Sequence, residues 1–266
     1  MPESRIPMAT ATTRTRKKTT KARGEEQLVL PLSKGWGGRR ENAGRKPSQK
    51  AGVSHLARPK IKKNTAAHVT WRTCREIANL RTKDRVHVVR RCLAKRCDQS
   101  GFRVVHYSIQ RSHIHLVVEA DSKAALALGM NALGSSIGHG LNNASGRVGR
   151  VFVDRYHSHI LTTPTAARNS LCYVLLNESR HLAQRGQRIR NPRPDIFSSG
   201  PLFDGWKEAR QATAPPDEGP CITKPEGWLL RTGWRLRGLI SLSEIPGPRE
   251  GLVPPRWQLP PDEAAR

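Results

Sequence analysis

Ser112-His113-Ile114-His115-Leu116-Val117-Val118-Glu119 is the stretch from which the fold can be read. Its alternation and β-branched content predict a strand, on which residues i and i+2 share a face. Ile114, Leu116 and Val118 then point into a core while His113 and His115 point the other way. Two neutral imidazoles fixed on one rigid face are ready-made metal ligands. Just upstream, Phe102 to Gln110 reads as a second strand, and the tight turn at Arg111-Ser112 predicts an antiparallel hairpin.

Further from the hairpin, Ala67-His-Val-Thr-Trp-Arg72 reads as a first strand. Lys83 to Asp98 reads as a helix, with Val86, Val89 and Leu93 at helical spacing among Arg85, Arg90, Arg91, Lys95 and Arg96. A second helix is predicted from Ser122 to Asn142, with Leu126, Met130, Leu133, Ile137 and Leu141 on one side. Gly129, Gly134, Gly138 and Gly140 weaken its intrinsic propensity, so packing must hold it together. After a Gly-Arg turn comes a fourth strand, Val151 to Leu161, and then a third helix opened by Thr163 as N-cap and Pro164. The order strand, helix, strand, strand, helix, strand, helix predicts an α+β protein. Its core is a ferredoxin-like βαββαβ antiparallel sheet with one additional C-terminal helix.

This packed domain spans 65–186. Residues 1–64 read as a basic, disordered tail, poor in acids, whose apolar islands such as Leu28 to Leu32 cannot offset ordering entropy. Gly37 to Pro47 in that tail has the character of an extended arm for a minor groove, or of a solvated charge run. Residues 187–266 form a Pro-, Gly- and Arg-rich extension with aromatic islands at Phe203 to Trp206 and Trp228 to Trp234. The islands are expected to dock on the domain; the alternative is that Trp228 and Trp234 stack on unpaired bases.

With 47 Lys and Arg against 21 Asp and Glu, the chain carries a formal charge of +26. Such a surplus favours a polyanion, because neutralising phosphates releases counterions. Five cysteines (Cys74, Cys92, Cys97, Cys172, Cys221) show no paired CxxC spacing and are odd in number. They fit a reducing cytoplasm, with the protein on the nucleoid through DNA, better than a disulfide framework or a zinc finger. No apolar run is long enough for a membrane span, so no membrane partner is expected.

A metal at the histidines needs further ligands, and chemistry on a phosphodiester needs a nucleophile. On the last helix Asn169, Tyr173, Asn177 and His181 recur at i+4 and form one polar row, with Leu171, Leu175 and Leu182 on another face. If that row faces the histidine strand, Asn177 completes the metal site through its amide oxygen and Tyr173 points at whatever is bound there. A phenol becomes a nucleophile when a cation lowers its pKa or a base takes its proton. Arg111, Arg147 and Arg150 are candidate phosphate contacts, with solvated side chains as the alternative.

Here the chain resembles the HUH single-tyrosine transposases, in particular the REP-associated tyrosine transposase branch. The resemblance rests on His113-Ile114-His115, on Tyr173-Val-Leu-Leu-Asn177, and on the segment from Gly149 to His159 before the last helix. It covers about residues 66–186. It implies a ferredoxin-like fold, a divalent metal (Mg²⁺ or Mn²⁺), and single-stranded DNA with hairpin-forming repeats as substrate. It also implies a 5′-phosphotyrosine intermediate with a free 3′-OH. One departure is that Glu178-Ser-Arg180 stands where the family usually has Pro-Val-Arg, which weakens the case for Asn177 relative to the histidines.

Competing readings are a relaxase or rolling-circle replication initiator, and a nucleic-acid-binding protein without catalysis. Relaxases and initiators often carry a third nearby histidine or a second tyrosine on the same helix, and this helix has Tyr173 alone. His157-Ser158-His159, preceded by Tyr156, is a decoy in which Ser158 makes a poor core anchor; Tyr107 is a packing residue. A homodimer is left open by the sequence.

Overall fold

The computed structural model describes residues 60–187, 191–208 and 219–247. The predicted N-terminal tail, with its arm at 37–47, lies almost wholly outside them. The elements run β1 (Thr65–Arg72), α1 (Lys83–Arg96), β2 (Asp98–Gln99), β3 (Phe102–Ile109), β4 (His113–Ala120), α2 (Lys123–Ala144), β5 (His157–Leu161), α3 (Pro164–Leu175), α4 (Asn177–Gln184) and the short α5 (Trp228–Arg231). The sheet has the order β2-β3-β4-β1-β5 and is antiparallel throughout. Leaving aside the two-residue β2, this is the ferredoxin-like arrangement expected of a βαββαβ chain.

Strand alternation divides the sheet into two faces. Ala67, Val69 and Trp71 of β1 join Ile114, Leu116 and Val118 of β4 in a core with α1 and α2. In α2, Leu126, Met130, Leu133, Ile137 and Leu141 are all buried there, as their spacing predicts, and the Ser122 hydroxyl accepts the Ala125 N–H at 3.0 Å as the N-cap. Two of the helix-weakening glycines allow close approach: a Cβ at Gly129 would overlap the Phe102 ring, and one at Gly134 the Trp71 indole. Propensity is traded here for contact with the sheet.

The opposite face is covered by α3 and by the C-terminal extension. Leu171, Val174 and Leu175 pack with Phe203, Trp206, Leu230, Trp234, Ile240 and Leu242. The extension is therefore half of a second core rather than an appendage. Its anchor is Glu119, fully buried on β4, which accepts the backbone N–H groups of Glu226 (2.8 Å) and Gly227 (3.0 Å) and pairs with Arg103 at 3.4 Å. Trp234 docks as expected. Trp228 does not: it stays 55% exposed, because Gly233 and not the sheet lies against its ring.

Three expectations need correction. The fourth strand is limited to 157–161; residues 151–156 are irregular apart from a bridge between Thr73 and Phe152, and Phe152 stacks on Trp71 at 4.0 Å. The α1 helix stops at Arg96, and Asp98 pairs instead with Arg103 in β2. The last helix is two helices, broken at Leu176 (φ −111°, ψ 20°). Val174, Leu175, Leu176 and Asn177 are all buried, and four consecutive residues cannot share one helical stripe. The break lies where the chain is enclosed on several sides, and Leu182 beyond it is only half-buried.

Candidate active site

The second face of the sheet is where the chemistry-bearing side chains gather. In the β1–β4 ladder Thr70 is opposite His115 and Arg72 opposite His113; across β5, Thr70 meets His157 and His68 meets His159. Directly paired residues share a face. So His68, Thr70, Arg72, His113, His115, His157 and His159 all lie on one side. The decoy pair thus shares the face of His113 and His115, while Tyr156 is buried in the opposite core with its ring edge against Trp71 (5.7 Å).

Tyr173 comes to the histidines from α3. Its ring centroid is 5.2 Å from that of His115, edge-on at 86°, and 5.6 Å from His68; the Arg180 guanidinium lies over the ring at 5.2 Å. His113 and His115 are 4.6 Å apart by ring centroid. His113, His115 and Tyr173 open together into a cavity of about 690 Å³. Arg72, Arg81, Arg111 and Arg185 line it too, with Glu178 and His181. Arg81 is committed to the wall, bidentate to Asp195 at 2.7 and 2.9 Å.

His113, His115 and His68 are held neutral near pH 7. Burial, reinforced by His181 and Arg72, lowers His113 to about 4; burial, then His113 and His68, holds His115 well below its ordinary value. His68 falls to about 3, chiefly by burial and then by His159 and His157. A neutral imidazole is the form that binds metal.

His115 Nδ1 is 3.2 Å from His68 Nε2 and 3.1 Å from Thr70 Oγ1. Its Nε2 is buried with no hydrogen-bond partner. The same holds for both amide atoms of Asn177, which is 1% exposed. Buried polar atoms are normally paired, so such orphans mark groups suited to a ligand. Among the described residues no group of three or more His, Cys, Asp or Glu is arranged to hold a metal. His113 and His115 are the neutral imidazoles of the cavity wall that suit a divalent ion, with substrate oxygens or water to complete its shell.

Asn177 opens α4, so it is not on one continuous helix row with Tyr173 and does not line the cavity; Glu178 and His181 do. Of the predicted phosphate contacts, Arg111 lines the cavity. Arg147 and Arg150 lie outside it on the turn after α2, bonded to Asn142 Oδ1 (3.2 Å) and the Phe152 carbonyl (2.7 Å). Sequence reasoning passed over His68, Thr70 and Arg72. Their signal was the polar alternation within β1 itself, where every second residue from His68 to Arg72 is polar.

Two of the solved structures similar to the chain are transposases by description. One, described as a REP-associated tyrosine transposase bound to a REP hairpin, is 16% identical over 48% of this chain and 74% of that one, with a TM-score of 0.39. The other, a putative transposase from Deinococcus radiodurans, is 14% identical over 53% and 99%, with a TM-score of 0.32. No curated protein matches the chain significantly. The model of the IS200-like transposases matches residues 61–167, a span that holds both histidines and ends just before Tyr173. Over that span, which is less than half of the chain, the protein is similar to the IS200-like transposases.

Proposed function

We propose that the protein cuts and rejoins single-stranded DNA through a covalent link to Tyr173, with hairpin-forming repeats as its targets. The observation that carries this reading is the convergence of Tyr173 with His113 and His115 on one arginine-lined cavity. His113 and His115 would hold a divalent ion, Mg²⁺ or Mn²⁺, in the cavity, and Asn177 would join them only by turning its unpaired amide toward it. When bound, that ion polarises the scissile phosphate and stabilises charge at phosphorus. Arg72, Arg111 and Arg185 suit the flanking phosphates, and Arg147 and Arg150 suit a more distant stretch of backbone.

The Tyr173 Oη attacks phosphorus, forming the Oη–P bond as the P–O3′ bond breaks. The phenolic proton is given up and the departing 3′ oxygen takes one, leaving a free 3′-OH and a 5′ end joined to Tyr173. Attack by another 3′-OH reverses these steps and restores a phosphodiester. The exchange needs no external energy source because the bond is conserved in the intermediate. Cation–π contact from Arg180 steadies the phenol ring between the histidines and α4. Hairpin-forming repeats as the substrate follow from the motif resemblance.

The test is incubation with single-stranded, hairpin-bearing DNA from the gene's own flanks in Mn²⁺. A denaturation-resistant protein–DNA adduct is expected, absent in Tyr173→Phe. No adduct from the wild type, or an undiminished one from Tyr173→Phe, overturns the proposal. Transfer of the cut strand to a second DNA end separates transposition from replication initiation.

A further inference from the structure

The His115 imidazole has two nitrogens with opposite surroundings. Nδ1 faces β1, within 3.2 Å of His68 Nε2 and 3.1 Å of Thr70 Oγ1. Nε2 is buried with no protein partner. A neutral ring carries one proton, and where it sits decides whether Nε2 offers a lone pair. With the proton on Nε2, a buried N–H would be left without an acceptor, which is the rarer and costlier of the two defects. With it on Nδ1, the proton can go to the Thr70 hydroxyl, or to His68 Nε2 when that ring carries its own proton on Nδ1, and Nε2 of His115 keeps its lone pair.

We infer that His68 and Thr70 are a positioning pair that holds His115 in the Nδ1–H form, so that Nε2 is presented as a ligand. They are suited to the task by register, since Thr70 is the β1 residue directly opposite His115 and His68 is the next on that face. Both are fixed by strands rather than loops, and His68 is 2% exposed. The His68 ring also abuts Tyr173 at 5.6 Å. His68 therefore touches both the ligand's ring and the nucleophile's, so one side chain bounds ring orientation and phenol placement together. Residues that orient a ligating histidine through its other nitrogen commonly govern metal affinity.

The metal-binding consequence rests on the function proposed above, whereas the tautomer does not. The full chain labelled with ¹⁵N-histidine is examined metal-free at neutral pH by long-range ¹H–¹⁵N NMR, with His115 assigned from the signal lost in His115→Asn. The Nδ1–H pattern is expected; an Nε2–H pattern overturns the inference without any variant having to fold. Calorimetric titration with Mn²⁺ then compares Thr70→Ser, expected close to wild type, with the His68→Phe/Thr70→Val double variant. The double variant should lose about 10–100-fold in affinity. Wild-type affinity in a folded double variant also overturns the inference. A wild type that shows Nδ1–H yet binds no Mn²⁺ supports the positioning pair and refutes the metal reading.

Discussion

Replacing Glu119 by alanine should release the C-terminal extension from the sheet. The carboxylate is fully buried and receives three donors: the N–H groups of Glu226 and Gly227, and Arg103 Nε at 3.4 Å. A Cβ at Gly227 would come within 2.7 Å of Glu119 Oε1, so the two segments are as close as side-chain-free backbone allows. Arg103 keeps Asp121 (2.9 Å) and Asn64 (2.6 Å), so the loss falls mainly on the two backbone donors. Orphaning each costs about 1–3 kcal/mol, which agrees with about 3–5 kcal/mol for breaking a buried charged contact. A cost of about 4 kcal/mol lowers Tm by about 8–16 °C in a domain of this size.

Burial raises the Glu119 pKa, against the lowering effects of the Gly227 and Glu226 N–H groups and Arg103. Ionised carboxylate burial is thus unfavourable in itself, and Glu119→Gln relieves it. If charge burial dominated, Gln would stabilise the protein. We expect it to cost about 1–2 kcal/mol, because its NH₂ group turns a donor toward Arg103 or a backbone N–H. Thermal unfolding by circular dichroism, with hydrogen exchange at residues 226–247, measures both effects. Glu119→Ala within 2 °C of wild type by this assay, with residues 226 and 227 still protected, would refute the reasoning.

Gly134→Ala should destabilise by about 1–3 kcal/mol through overlap with Trp71 despite better helix propensity, while Gly138→Ala, with open space around it, should stabilise by up to about 1 kcal/mol; urea denaturation of the two variants checks the opposite signs. Arg111→Ala should weaken single-stranded DNA binding regardless of sequence and reduce the slope of log K against log salt by about 0.7, read by fluorescence anisotropy across a salt series. Burial lowers His106 to about 4, against the raising effect of Asp204, so the unfolded chain takes up its proton near pH 6.5 and the folded one does not until near pH 4. Stability from this group is present above pH 6.5 and lost as pH falls toward 4. Between pH 6 and 5 wild type should lose about 1 kcal/mol more than His106→Gln, and equal losses in urea melts would contradict this.

Local patterns carried much of the architecture. Alternation in His113 to Glu119 and helical spacing from Leu126 to Leu141 predicted the faces those elements bury, because period and burial are coupled within one element. Thr163 and Pro164 marked the start of α3 correctly: the Thr163 hydroxyl accepts the Ala166 N–H at 3.1 Å. The aromatic island at Trp234 announced a docking surface, yet Trp228, six residues earlier, has the same residue type and stays exposed. Composition identifies a side chain that wants burial; only the path of the chain determines whether a surface is there to receive it.

By itself the sequence determined the element order, the shared face of His113 and His115, and an arginine-rich chain with Tyr173 on a late helix. Tertiary structure alone decided what surrounds them. The pairing of β1 with β4 put Thr70 and His68 against His115, and the helix breaks at Leu176 within the buried run 174–177, with Glu178 and His181, not Asn177, lining the cavity. The physical reason is one of range. Side-chain periodicity acts over a few residues along the chain, while register and enclosure depend on contacts between segments 45 or more residues apart, such as Thr70 and His115.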